Sequence, residues 1–116
     1  MVLGILTDIG GQCLIAHCRW AQGPGARLRG FVGRVPHRDD EGILMTPCRV
    51  VHTFGLFGPI DIVYLDRHLR VLKCEREVPP WRISTCRRAR TALGLAPGAA
   101  KRRGLVPGLQ VAWRTA

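Results

Sequence analysis

One carboxylate stands inside the most apolar run of the chain: Asp61 lies between Ile60 and Ile62 in His52–Asp66, HTFGLFGPIDIVYLD. Burying an aspartate among such neighbours is costly unless it is paired or hydrogen-bonded, so Asp61 is the first candidate for a site. With His52 it would supply an oriented base and a proton carrier for a small hydrolase-like enzyme, provided both reach a common substrate. The competing reading is structural. Asp61 would then accept backbone N–H or arginine donors at the mouth of a sheet and hold the Gly55–Pro59 loop in place.

Other catalytic patterns are missing from the sequence. His17, His37, His52 and His68 show neither HExxH nor another short ligand spacing, so a metal site would need tertiary assembly and none is assigned. Ser84 is the only serine and has no nucleophile context, and no P-loop or dinucleotide-binding glycine pattern occurs; no cofactor is assigned. Cys13, Cys18, Cys48, Cys74 and Cys86 are 5, 30, 26 and 12 positions apart. With no CxxC pair and an odd count, they read as free, mostly buried thiols in a reducing, cytoplasmic setting.

Charge points to partners rather than to a reaction. The formal charge of +10 favours nucleic acid, anionic membrane surfaces or acidic protein surfaces. The 18 basic residues comprise 16 arginines and 2 lysines, an imbalance that genome composition also produces. The arginines are dispersed, and Phe31, Phe54, Phe57 and Tyr64 form no ribonucleoprotein-type stacking motif. Nucleic-acid binding is therefore an alternative reading. It would require Arg87–Arg90 and Arg102–Arg103 to share one continuous face.

The leading reading is a small non-catalytic binding or accessory module. Phe54, Phe57 and Trp81 would line an apolar cleft, with Asp61 nearby and Arg27, Arg34 and Arg76 as rim donors for an anionic small molecule or a protein carboxylate. Ordinary core packing is the competing reading for at least two of these aromatics. The short apolar start, Met1–Leu6, lacks a basic leader and a long apolar region, so no membrane insertion is expected. A monomer or weak dimer is expected.

These candidates need elements to position them. The length of 116 residues fits a single domain, and 22 Gly and Pro residues scattered along it suggest many short elements joined by turns. Val2–Leu6 and Cys13–Cys18 read as a hairpin or two short edge strands, and Gln22–Gly25 as a turn. Ala26–Arg34 has room for a short helical turn, weakened by Gly30 and Gly33. Gly42–Met45 reads as a brief strand ended by Thr46-Pro47, after a solvated Asp39-Asp40-Glu41 loop. Ile60–Leu65 is the clearest strand, with Asp61, Val63 and Leu65 on one face and Ile60, Ile62 and Tyr64 on the other. Asp66 caps the following turn and Leu69–Cys74 returns antiparallel, after which Glu75–Pro80 leaves the hairpin. Ala89–Leu95 is ambiguous between strand and helix. Pro97–Gly104 reads as a short helix and Leu109–Trp113 as a terminal strand.

The ordered set RLRGFVGR (27–34), GILM (42–45), HTFGL (52–56) and IDIVYLD (60–66) resembles the prokaryotic family called domain of unknown function 192, over about residues 13–113. Leu56 stands where that family usually carries Met, and Gly94 where a polar or acidic residue is common. The resemblance implies a compact, mainly β fold with short helices. The expected sheet is antiparallel and partly closed, or a small barrel. It implies no activity.

Overall fold

The computed structural model describes residues 2–23 and 35–115. Their elements are β1 (Val2–Asp8), β2 (Cys13–Gln22), β3 (Glu41–Thr46), β4 (Val50–His52), β5 (Ile60–Leu65), β6 (Val71–Val78), β7 (Ile83–Thr85), β8 (Thr91–Leu95), the one-turn helix α1 (Ala99–Arg102) and β9 (Val111–Thr115). Seven strands form one sheet in the order β6-β5-β8-β3-β2-β1-β9, while β4 and β7 pair as a separate two-stranded ribbon.

The expected antiparallel, partly closed sheet or small barrel does not form. The sheet is mixed, because β2 and β3 run parallel, His17 opposite Glu41 through Gln22 opposite Thr46. A parallel pair requires a crossover, and residues 23–40 are long enough to make one; strand direction leaves no mark on an alternating apolar pattern. The sheet is also open, with β6 and β9 as its edges. The segments at these edges meet at one isolated bridge, Arg70 with Gln110, and its flanking backbone hydrogen bonds, and no ladder joins β6 to β9. A single short helix occurs among the described residues. The helical turn expected over Ala26–Arg34 lies outside them.

Both faces of the sheet are covered, which explains why β5 is buried at every position and, Asp61 apart, apolar rather than alternating. On one face Leu6, Ile15, Leu44, Val63, Leu65, Leu93 and Leu95 pack with Ala99 and Ala100 of α1. On the other, Ile43, Met45, Ile60, Ile62, Tyr64 and Ala92 pack beneath Cys48, Val51 and Leu56 from the ribbon and its flanks. The expected division of β5 into two faces is the one observed.

Several boundaries move for identifiable reasons. β6 continues to Val78 instead of stopping at Cys74, because a bulge absorbs its irregular part: Ile62 faces Glu75 and Ile60 faces Val78, leaving Arg76 and Glu77 opposite Asp61. Thr91–Leu95 is a strand, fully buried between β3 and β5. β4 and β7 join segments some thirty positions apart, a pairing that no local pattern announces. Against the expectation of mostly buried thiols, Cys18 and Cys48 are buried, Cys74 and Cys86 are partly covered and Cys13 is exposed, and none is in a disulfide.

Candidate functional site

Asp61 is completely buried, and its partners are backbone amides. Its Oδ1 accepts the N–H of Glu77 at 2.8 Å and of Gly98 at 3.1 Å, while Oδ2 accepts the N–H of Ala100 at 2.9 Å. The bulge makes the first bond available: Glu77 adopts φ 52°, which turns its amide inward. The other two come from the chain entering α1 and leave none of the carboxylate open to solvent. Asp61 thus joins β5, β6 and α1.

His52 lies elsewhere. It belongs to the ribbon covering the opposite face of the sheet, and its ring packs on Phe54 with centroids 5.1 Å apart. The sheet stands between the His52 ring and the Asp61 carboxylate, so the two do not assemble into a proton-transfer pair. The Nδ1 atom of His52 is buried and has no hydrogen-bond partner among the described residues. No group of three or more His, Cys, Asp and Glu side chains among those residues is arranged to hold a metal ion.

The aromatics form a ledge instead of a cleft. Phe54 stacks on Trp81 with centroids 5.6 Å apart and planes inclined by 24°, extending the His52–Phe54 contact into a row of three rings. Trp81 is 66% exposed and Phe54 39%, and Phe57 stands wholly in solvent at the tip of its loop. The core reading of these three aromatics is therefore overturned: their rings face outward, and Tyr64 is the aromatic of the core. Trp81 holds φ 65°, an uncommon conformation for a bulky residue and one that needs support from its surroundings.

That support comes from Thr53, which the sequence did not single out. Thr53 is buried; its hydroxyl donates to Pro79 O at 2.7 Å and accepts from Arg82 N–H at 2.8 Å. Its carbonyl accepts the Trp81 N–H at 3.1 Å and its amide donates to Arg82 O at 2.9 Å. A threonine between His52 and Phe54 thus clamps the segment carrying Trp81. The ledge is fixed by backbone bonds before any ligand arrives.

A second relay anchors the ribbon to the sheet. Tyr64 OH donates to Ser84 Oγ at 2.8 Å and Ser84 Oγ donates to Glu75 Oε1 at 2.8 Å. Lys73 Nζ lies 2.8 Å from the same carboxylate oxygen and donates to Thr85 O at 3.0 Å. Burial pushes the Tyr64 hydroxyl up to about 12, an effect only partly offset by the Ser84 hydrogen bond and reinforced by Cys48, Glu75 and Cys86 nearby. For Glu75, burial acts upward, but Lys73 and Ser84 outweigh it and hold the carboxyl below its ordinary value. The only serine is thus committed to structure.

Basic residues gather at the other end of the ribbon. Arg49, Val50, Lys73, Thr85, Cys86, Arg87 and Arg88 line an open groove of about 1010 Å³. Arg49 and Arg88 also border a second groove with Asp66, Arg67, His68 and Arg90. Lys73 is paired with Glu75, whereas no carboxylate lies within ion-pair distance of Arg49, Arg87 or Arg88 among the described residues. Asp66 accepts the N–H groups of His68 and Arg70, capping its turn as the sequence suggests.

The arginines named from sequence are arranged differently. Arg76 is exposed on the bulge of β6, and Arg27 and Arg34 fall outside the described residues. Arg102 pairs with Asp39 through both of its bonding nitrogens, and Arg103 Nε donates to Asp39 O at 3.2 Å. They sit beside α1, across the sheet from the ribbon, and do not share a continuous face with Arg87–Arg90. Among the described residues no helix is long and apolar enough to cross a membrane.

Comparison with known proteins agrees with this architecture. The family model of domain of unknown function 192, described as "Uncharacterized ACR", matches residues 5–113. The chain belongs to that family. A protein of unknown function from Novosphingobium aromaticivorans is similar in structure, with a TM-score of 0.77 at 20% identity over 96% of this chain and 84% of that one. A "putative transcription regulator" from Sinorhizobium meliloti is similar with a TM-score of 0.80 at 19% identity, over 97% of this chain and 92% of that one. At these identities the likeness is one of fold. No curated protein matches the chain.

Proposed function

We propose that this member of the domain of unknown function 192 family is a non-catalytic binding module that receives an anionic ligand carrying a flat or apolar group on the outer face of the β4–β7 ribbon. The observation that carries this reading is the exposed Phe54–Trp81 stack, held in place by the Thr53 clamp. Large aromatic area in contact with water is unfavourable, and a rigid, pre-formed ring surface lowers the entropy cost of receiving a partner. The arginines of the neighbouring groove supply the complementary charge. An enzymatic role for Asp61 and His52 gains no support from their positions on opposite sides of the sheet.

The test is equilibrium binding of 8-anilinonaphthalene-1-sulfonate, an aromatic anion, followed by its fluorescence. Saturable binding that weakens in Trp81→Gly and in Arg88→Ala is expected. Equal binding by both folded variants and the parent chain would count against the proposal.

A further inference from the structure

The ligand class can be narrowed, resting on the binding-module reading above. In the ribbon Val50 pairs with Thr85, Val51 with Ser84 and His52 with Ile83. Opposed residues share a side, and alternate residues return to it, so Val50, Thr85, His52 and Ile83 make up one surface. Val51 and Ser84 are buried beneath it, while Val50, at 56%, and Ile83, at 63%, lie open. One end of this surface, at Val50 and Thr85, enters the groove with Arg49, Arg87 and Arg88. Its other end, at His52 and Ile83, leads to Phe54 and Trp81.

Cations and stacked rings therefore flank the two ends of one strip, Arg49 and Phe54 being five positions apart, at most roughly 17 Å along an extended chain. We infer that the strip binds a single-stranded nucleic acid, with backbone phosphates against Arg49, Arg87 and Arg88 and a base laid on the Phe54–Trp81 stack. A strand of a few nucleotides spans this distance, and unpaired bases expose the faces that a duplex conceals. Guanidinium groups with no carboxylate partner are matched to phosphate in charge and shape. The nearest acids compete weakly, since Glu75 is engaged by Lys73 and Ser84, and Asp66 by its own turn. A net charge of +10 adds a long-range attraction of the right sign. Sequence preference is not expected, because stacking accepts every base.

The experiment is fluorescence anisotropy of the full chain at low ionic strength with labelled oligothymidine, set beside an abasic strand of equal length, a duplex and phosphatidylserine vesicles. Oligothymidine should bind saturably and more tightly than the other three. Trp81→Gly, which also suits the positive φ, should weaken oligothymidine about tenfold or more and leave the abasic strand unchanged. Arg87→Ala with Arg88→Ala should weaken both strands and lower the slope of log affinity against log salt by about 1.4. Equal affinity for the thymidine and abasic strands in the parent chain, which needs no variant to fold, would overturn the inference. So would tighter binding of duplex or vesicles. If oligothymidine fails while the anilinonaphthalene probe still binds through Trp81, the nucleic-acid assignment falls and the binding module stands; failure of both removes both.

Discussion

The carboxylate of Asp61 and the amide of Ala100 meet at 2.9 Å across 39 positions of sequence, and this bond ties the middle of the sheet to α1. With the bonds from Glu77 and Gly98, it turns the most conspicuous polar residue of the apolar run into a joint between elements. Ionised carboxylates accept such bonds strongly, and an amide in the same place would turn a donor toward donors.

Asp61→Asn should therefore lose about 3 kcal/mol of unfolding free energy, measured by urea denaturation. At temperatures where the variant remains folded, its affinity for the anilinonaphthalene probe should equal that of the parent. A stable variant with lost binding would instead make Asp61 part of the site.

Thr53→Val preserves shape while removing the hydroxyl that serves Pro79 and Arg82. Leaving those backbone groups unpaired in a buried place should cost about 1–3 kcal/mol. Amide hydrogen exchange at Arg82 and Trp81 should accelerate relative to β5 and β8. Uniform acceleration throughout the chain would show that the clamp has no local action.

Tyr64 is the only tyrosine, so ultraviolet absorbance of tyrosinate reports on it alone. In the folded chain the transition should fall at about 12, and in denaturant near its ordinary value of 10.0. Between these values the unfolded chain has released the proton that the folded chain retains, so stability should fall as pH rises from 10.0 to about 12. A native transition at the ordinary value would mean that the Tyr64 hydroxyl is open to solvent in the folded chain.

Gly4 lies beneath the ring of Trp113, where an added Cβ would come within 2.3 Å of the ring and 2.6 Å of Arg114 O. Gly4→Ala should destabilise the chain by about 1–3 kcal/mol in thermal or urea unfolding. Trp113→Leu in the same chain should recover only part of the loss, since the Arg114 carbonyl remains.

Phe57 provides the opposite case. Its ring is wholly in solvent, so Phe57→Ser should change stability by no more than about 0.5 kcal/mol in the same unfolding assay. A larger loss would return Phe57 to the core.

What the sequence conveys follows the range of the interactions involved. The two faces of Ile60–Leu65 and the Asp66 turn are legible because local alternation and a local cap create them. The short helix near Pro97 is legible from its flanking residues, although only Ala99–Arg102 form it. The ribbon is not legible, because three residues at β4 acquire their meaning only opposite Ile83–Thr85. Thr53 is invisible for the same reason: its partners arrive from Pro79 and Arg82. The rings were expected at a cleft or in the core, and tertiary bonds to their backbone place them on a ledge.

The two edge strands have a bearing on self-assembly. Beyond the Arg70–Gln110 bridge, Val71 N–H reaches Leu109 O and Val111 N–H reaches Leu69 O, so part of each rim is already occupied. Along β6 the bulge and the charged residues Lys73, Glu75, Arg76 and Glu77 interrupt what remains, and β9 ends in exposed Arg114 and Thr115. A neighbouring copy seeking to extend the sheet meets a bulge and charged side chains instead of a flat row of free amides, which guards an exposed β architecture against fibre growth.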